Sequence, residues 1–265
     1  MDATVLYAAF GSLRQSFSEN SSADVSWVLN GYSVVFAALL IPSGRLADLK
    51  GRRRVFQWGV ALFLIGSLAC GASSSLSWLI AARVLQAAGA ALLSPASFSL
   101  VLDAFPGQQR TKAIALWGAV GGLAASLGPG LGSLLVEHAG WRWAFFINVV
   151  PAVWSLWRSR QVTEGVTAEV NGRLDLPGAA VLALATAAVA LGLVQVRSEW
   201  GAAEIGGALW VGVGGFAMLV AWSKIRKDGI LDLSLFKFPA FLWGNMGVSE
   251  ILCLRRFYEA TSRPL

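Results

Sequence analysis

The polar residues with the clearest chemical potential in this sequence lie inside long apolar runs. Arg83 is about seven residues into the run from Leu76 to Leu102, and no acidic residue lies within four positions of it. A cation in that setting is costly, and it usually faces a bundle interior or a wet cavity where it has a polar partner. Gln86 follows on nearly the same helix face and can share a polar network with Arg83. The alternative is a structural arginine that binds backbone carbonyls or extends to the membrane surface.

Asp2 is the carboxylate with the best case for proton exchange, because it falls inside the first apolar run, Met1 to Leu13. Burial in an apolar medium favours the neutral acid and lets it take up and release a proton. The alternative is a solvated chain terminus. His138, the one histidine, is expected to be a solvated loop residue. No metal-ligand spacing, nucleophile motif or nucleotide loop occurs in the sequence, so an enzyme is not expected and no metal site is predicted.

A cationic segment between two apolar runs is the third candidate. Residues 44 to 54 read GRLADLKGRRR, with five cations and one acid, Asp48. We expect a tight turn, in which Gly44 lets one helix end approach a neighbour and Gly51 permits the change of direction. Asp48 can accept hydrogen bonds from helix N-terminal amides and from the arginines. The pattern predicts a latch between helix ends; the alternative is an ordinary positively charged loop.

Small residues repeat every four positions along the run from Ala113 to Val136. One row is Gly118, Gly122, Ser126 and Gly130, and a second is Ala124, Gly128 and Gly132. Such rows let helix backbones pack closely in lipid. Pro129 removes a backbone donor and favours a bend. The pattern predicts a bent, closely packed helix, either at a moving interface or in ordinary packing.

Composition indicates which elements hold these residues. Hydrophobic residues make up 56% of the 265 and charged residues 14%, with a mean hydropathy of +0.62. Several apolar runs are long enough to cross a bilayer, and each should be a helix because lipid cannot satisfy an exposed backbone. An all-α membrane protein is therefore predicted. The runs are Met1–Leu13 (too short to span unaided), Ser26–Ser43, Val55–Gly71, Leu76–Leu102, Ala113–Val136, Trp141–Trp157, Leu176–Val196, Ile205–Trp222 and Phe238–Leu254.

The charge pattern predicts the orientation of these helices. If residues 44 to 54 are cytoplasmic, alternation puts about fourteen Lys and Arg inside and three outside, namely Arg14, Arg142 and Arg197. The net charge of +6 therefore requires no nucleic-acid partner. Cys70 and Cys253 lie in apolar runs and are expected to be inert packing residues. No cleavable signal peptide is visible.

The motifs together resemble the 14-helix drug:proton antiporter branch of the major facilitator superfamily. GRLADLKGRRR is similar to its loop between helices 2 and 3, ARVLQAAGAA to its helix 4 motif, and GAVGGLAASLGPGLGSLL to its antiporter motif in helix 5. MDATVLYAAF resembles the helix 1 motif and GWRWAFFINVVP the entry to helix 6. The resemblance covers essentially the whole chain.

The resemblance implies a domain plan. Residues 1–157 would form the N-terminal six-helix bundle with a truncated first helix, built as two inverted three-helix repeats, and 158–175 a cytoplasmic connector. Residues 176–224 would be two inserted transmembrane helices, and 225–265 the truncated start of a second half with a partial ninth helix. Truncation, a frameshift or a gene fragment would each explain the two ends. A reading frame that continues past Leu265 would favour a transporter. A genuine stop codon at that point would favour a non-transporting remnant.

The resemblance also implies the function. Expected is proton-driven efflux of hydrophobic or cationic drugs by alternating access, from the plasma (inner) membrane, as a monomer with no cofactor besides the proton gradient. The alternatives are a narrow exporter of one metabolite or antibiotic, or a non-transporting remnant. The implied proton-coupling or substrate residues are Asp2, Arg83 and Gln86. The implied latch residues are Gly44, Asp48, Gly51, Arg52 and Arg53, and the implied antiporter-helix residues are Gly118, Gly122, Gly128, Pro129 and Gly132.

Overall fold

The computed structural model describes residues 2–162, 175–195 and 201–225, and these ranges contain helices and no strands. The helices are α1 (Asp2–Ser16), α2 (Ser22–Lys50), α3 (Arg52–Gly71), α4 (Leu76–Ala104), α5 (Gln109–Ala139), α6 (Trp143–Phe146), α7 (Val149–Ser159), α8 (Leu176–Gln195) and α9 (Ala202–Ile225). Six of them, α2, α3, α4, α5, α8 and α9, are long and apolar enough to cross a membrane. The predicted all-α membrane fold is confirmed. The predicted run Phe238–Leu254 and Cys253 lie outside the described residues.

The segment predicted as a loop between the second and third spans is mostly helix, so that prediction is wrong. Helix α2 continues to Lys50, and only Gly51 separates it from α3. The extension forms because Leu, Ala, Arg and Lys favour helix and because Ala47 is buried in a small apolar cluster with Val55 and Ala96. Gly51 makes the turn with a φ of +96°, as expected of a glycine. A Cβ on Gly44 would lie 3.7 Å from the Cβ of Pro95, which is an ordinary van der Waals distance. Contrary to prediction, the packing therefore does not require a glycine at this position.

The sixth span is not one continuous helix, contrary to prediction. A turn at Ile147 and Asn148 separates α6 from α7. Pro151 has no N–H to bond to the carbonyl of Ile147, so the break falls where one helical hydrogen bond is missing in any case. The break brings the Asn148 side chain against α3, where it donates a hydrogen bond to Ser67.

The α3–α4 pair is the closest helix contact near the buried polar residues, and glycines make it possible. A Cβ on Gly66 would lie 2.7 Å from the Cα of Gln86, and one on Gly89 would overlap the backbone nitrogen of Phe63. A Cβ on Gly59 would lie 2.6 Å from the nitrogen of Leu93. The two backbones therefore touch almost directly, as small residues allow in lipid.

Helices α8 and α9 form a hairpin that packs against the rest through α8 and α2. Gly212 and Gly215 face Ala185 across the hairpin, so α9 lies close to the backbone of α8. Asp175 caps α8, since its carboxylate accepts hydrogen bonds from the backbone N–H of Gly178 at 3.2 Å and from Trp222 Nε1 at 3.1 Å. These two bonds fix the start of the hairpin.

The orientation can be tested by cysteine labelling at two helix ends. Ser22 begins α2 and Gly107 lies between α4 and α5, so three spans separate them. We expect Ser22→Cys to react with an impermeant maleimide from outside and Gly107→Cys only after permeabilisation, because the cationic ends face the cytoplasm. The background would carry Cys70→Ser and Cys253→Ser. Reaction of both sites from one side would contradict the topology.

Candidate functional site: a buried arginine network

Arg83 lies in the protein interior, with its side chain 1% exposed. Its Nη1 donates to Gln86 Oε1 at 2.6 Å, and its Nε donates to the backbone carbonyl of Val28 at 3.0 Å. The guanidinium carbon is 4.0 Å from the ring centroid of Tyr32. The predicted Arg83–Gln86 network is therefore present. This burial excludes extension of Arg83 to the membrane surface. The alternative of a structural arginine stays open, because such a residue would also bond to the Val28 carbonyl.

The network continues beyond the residues predicted from sequence. Gln86 Nε2 donates to Ser67 Oγ at 2.7 Å, and Asn148 Nδ2 donates to the same oxygen at 3.2 Å. Ser67 and Gln86 are both completely buried. Polar groups from α2 and α4 thus contact the guanidinium directly, and groups from α3 and the α6–α7 break connect to it through Gln86. Sequence reasoning missed Ser67 and Asn148; the one local signal was an asparagine in an apolar run, three residues before Pro151.

This arrangement stabilises a charge in a low-dielectric interior. Hydrogen bonds to a charged group are stronger than neutral ones, and a desolvated cation over an aromatic face gains roughly 2 kcal/mol or more. A network of this kind is costly when it loses any member, because the remaining polar groups stay buried without a partner. Arg83 therefore has two properties of a switch residue: it is expensive to bury, and its environment depends on several helices at once.

A second polar site lies at the opposite ends of α3 and α4. Arg52 Nη2 is 3.4 Å from Asp48 Oδ1, so the predicted contact within the latch motif is present. Arg52 Nη1 makes a shorter bond to Asp103, near the end of α4, which the sequence analysis did not include. Arg53 is half-buried and makes no ion pair among the described residues. Arg52 is thus the centre of this site, joining α2 to α4.

The antiporter-helix motif divides into two faces of α5. Gly128 and Gly132 are buried, and a Cβ on Gly132 would lie 2.9 Å from the Cα of Val5 in α1. The close packing predicted for the second row is therefore present. Gly118 and Gly122 have open space where a Cβ would be, so within the described residues the packing predicted for the first row is absent. Pro129 lies inside α5, which continues through it to Ala139.

Asp2, His138 and Cys70 are the other residues that the sequence singled out. Asp2 begins α1, and its side chain is outside the description. His138 is exposed, as predicted, but it lies in the last turn of α5 and not in a loop, with Nδ1 2.9 Å from the carbonyl oxygen of Leu134. Cys70 is buried and unoxidised, with its sulfur 3.9 Å from Gln86 Oε1. In the described ranges no cluster of His, Cys, Asp and Glu could hold a metal ion.

A multi-pass helical membrane fold with a buried arginine network defines the class of protein, an integral membrane protein. The chain belongs to the Major Facilitator Superfamily, whose sequence profile matches residues 1–254.

Several relatives are similar over most of this chain. The Methylenomycin A resistance protein of Streptomyces coelicolor is 32% identical over 249 residues, covering 93% of this chain and 52% of that protein. The Cephamycin export protein CmcT of Amycolatopsis lactamdurans is 34% identical over 255 residues, with 93% and 52% covered. The Riboflavin transporter RibZ of Clostridioides difficile is 31% identical over 250 residues, with 93% and 53% covered. The chain spans about half the length of these curated relatives.

Proposed function

We propose that this chain forms the N-terminal part of a proton-coupled exporter of hydrophobic, often cationic compounds that works by alternating access. The observation that carries the proposal is the buried Arg83, whose charge is held by Gln86, by the Val28 carbonyl and by the Tyr32 ring. Intramembrane cations of this kind mark ion and substrate pathways. The names of two of the relatives, a resistance protein and an export protein, support outward transport.

In the proposed cycle, substrate binds near the midplane between this bundle and a second one. Proton transfer near Arg83, with Asp2 as the candidate acid, would change the charge balance of the network and so favour one of the two states. A ligand or proton shifts the equilibrium only by its differential affinity for the two states. The exposed glycine face of α5 would allow the second bundle to approach and slide.

The Arg52 site would act as the cytoplasmic latch of this cycle. Its two carboxylates come from α2 and α4, so relative movement of these helices must lengthen at least one ion pair. Such a contact can hold one state and release the other without touching the substrate. The proposal includes a monomer in the plasma membrane, driven by the proton gradient without a bound cofactor.

A narrow exporter of a single antibiotic or metabolite is the second candidate. It is favoured by relatives whose names specify one compound, methylenomycin A or cephamycin. The same Arg83 network would serve either exporter, because it binds charge and not a substrate shape.

Drug-dependent proton movement in proteoliposomes tests the proposal. We expect a longer form that includes a second helical half to release protons from acid-loaded vesicles when ethidium is added outside, because antiport moves protons out as the drug moves in. The 265-residue chain, tested alone in parallel vesicles, is expected to give no flux if two bundles are needed. Flux with ethidium and with unrelated lipophilic cations would favour the broad exporter. A longer form that moves neither drugs nor protons would contradict the proposal.

A further inference from the structure

We propose that Asn148 is a positioning residue for Arg83, which it orients through Ser67 and Gln86. The inference rests on the proposed function, since it concerns the same arginine. It depends on a chain of three hydrogen bonds of 3.2, 2.7 and 2.6 Å that runs from Asn148 to the guanidinium.

The break in the sixth span commits Asn148 to this contact. Asn148 occupies the N-cap position of α7, where an asparagine side chain commonly bonds to a backbone N–H of the first turn. Its side chain makes no such cap here, and its backbone has helical angles of −72° and −16°. The side-chain amide instead donates across to Ser67 on α3. The helix therefore forgoes a local stabilising bond in favour of one between spans.

Ser67 transmits the orientation to Gln86. Its buried hydroxyl oxygen accepts N–H groups from both Asn148 and Gln86. Because Arg83 has only donors, Gln86 must turn its carbonyl oxygen towards the arginine and its NH2 towards Ser67. Without the Asn148 bond, Ser67 keeps only one of the two donors that fix its hydroxyl oxygen. Gln86 is then held less firmly in the orientation that its bond to the Arg83 guanidinium requires.

The surrounding backbone makes this chain stiff. The backbone of α3 at Gly66 lies directly on Gln86, where a Cβ would be only 2.7 Å from the Gln86 nitrogen. Gln86 therefore cannot follow a displaced Ser67 by a large movement of its own backbone. Displacement of the sixth span relative to α3 would thus break the Asn148–Ser67 bond and loosen Gln86 beside Arg83, which links a helix movement to the charge site.

The structure supplies a matched control for this proposal. Gln57 Nε2 donates to Ser159 Oγ at 3.1 Å, which also joins α3 to α7. That bond also runs from a side-chain amide N–H to a serine hydroxyl oxygen between the same two parts of the bundle, but it does not lead to Arg83. Asn148→Ala and Ser159→Ala therefore both remove one α3–α7 hydrogen bond, and they differ in their connection to the arginine.

The transport experiment uses the longer form in proteoliposomes, with drug-driven proton flux measured across a series of pH values. We expect Asn148→Ala to lower kcat by about three- to tenfold, the equivalent of one buried hydrogen bond, and to shift the pH profile with little change in KM. Ser159→Ala should keep both the turnover and the profile. Ser67→Ala combined with Asn148→Ala should be no worse than either alone, because both interrupt one path. Identical behaviour of Asn148→Ala and Ser159→Ala, or additive losses in the double variant, would overturn the proposal.

A second measurement does not depend on transport. Cys70 is buried beside Gln86, so its reaction with N-ethylmaleimide in a Cys253→Ser background reports loosening of the network. We expect faster labelling in Asn148→Ala than in Ser159→Ala at equal membrane abundance. If the parent protein transports nothing, the function proposal fails while this comparison still decides the positioning role. Equal labelling rates in the two variants would overturn the positioning role.

Discussion

Replacing Arg83 with alanine is expected to abolish drug-dependent proton flux in the proposed exporter, tested as a longer form with a second helical half. The substitution removes the guanidinium that bonds to Gln86 and to the Val28 carbonyl and lies over the Tyr32 ring. Insertion and abundance should survive, because removing a buried cation lowers the cost of placing α4 in the membrane. Vesicle flux measured beside quantitative immunoblotting separates the two effects. Full transport by Arg83→Ala would reduce Arg83 to a structural residue.

Two comparison variants sharpen the assignment of Arg83. Arg83→Lys should restore little flux, because an ammonium cannot bond to Gln86 and Val28 at once with the planar geometry of a guanidinium. Asp48→Asn should leave drug binding nearly intact and slow the cycle, since it weakens the Arg52 site on another part of α2. Lost drug binding in Asp48→Asn would show that the Arg52 site is more than a latch. Binding is measured by fluorescence titration with the same drug used for flux.

Gly89→Ala is expected to cause the largest loss of stability among single methyl additions in this bundle. Its Cβ would overlap the backbone nitrogen of Phe63, which cannot rotate away as a flexible side chain could. The α3 and α4 backbones must therefore separate, at a cost of about 1–3 kcal/mol in the free energy of unfolding. The midpoint of thermal unfolding in detergent should fall. Gln86 lies three residues from Gly89, so drug-dependent proton flux should fall together with the unfolding midpoint.

Gly118→Ala is the matched control for this prediction. It adds the same methyl group to a helical glycine, but nothing lies within 4 Å of the new Cβ. Alanine favours helix over glycine by up to about 1 kcal/mol, so the stability of the 265-residue chain should be unchanged or slightly higher. Equal destabilisation by Gly89→Ala and Gly118→Ala would show that the α3–α4 contact is looser than the structure indicates.

The sequence alone was sufficient for the features that depend on local spacing. Apolar runs of membrane-spanning length predicted the helices, because a backbone in lipid must satisfy its own hydrogen bonds. The Arg83–Gln86 contact followed from a three-residue separation on one helix, and the turn at Gly51 followed from its glycine. The motifs were also enough to indicate the superfamily that the profile match then showed.

Only the tertiary structure decided the contacts between distant segments. Asn148 and Ser67 are 81 residues apart, Arg52 and Asp103 are 51 apart, and no periodicity within either segment pairs them. A cationic stretch predicts a loop after Ser43, whereas α2 continues to Lys50 because burial of Ala47 holds this stretch in the helix. Local pattern thus determined which segments are helices and which residues are costly to bury. Packing determined their partners, because a buried polar group must find a donor or acceptor wherever the fold brings one.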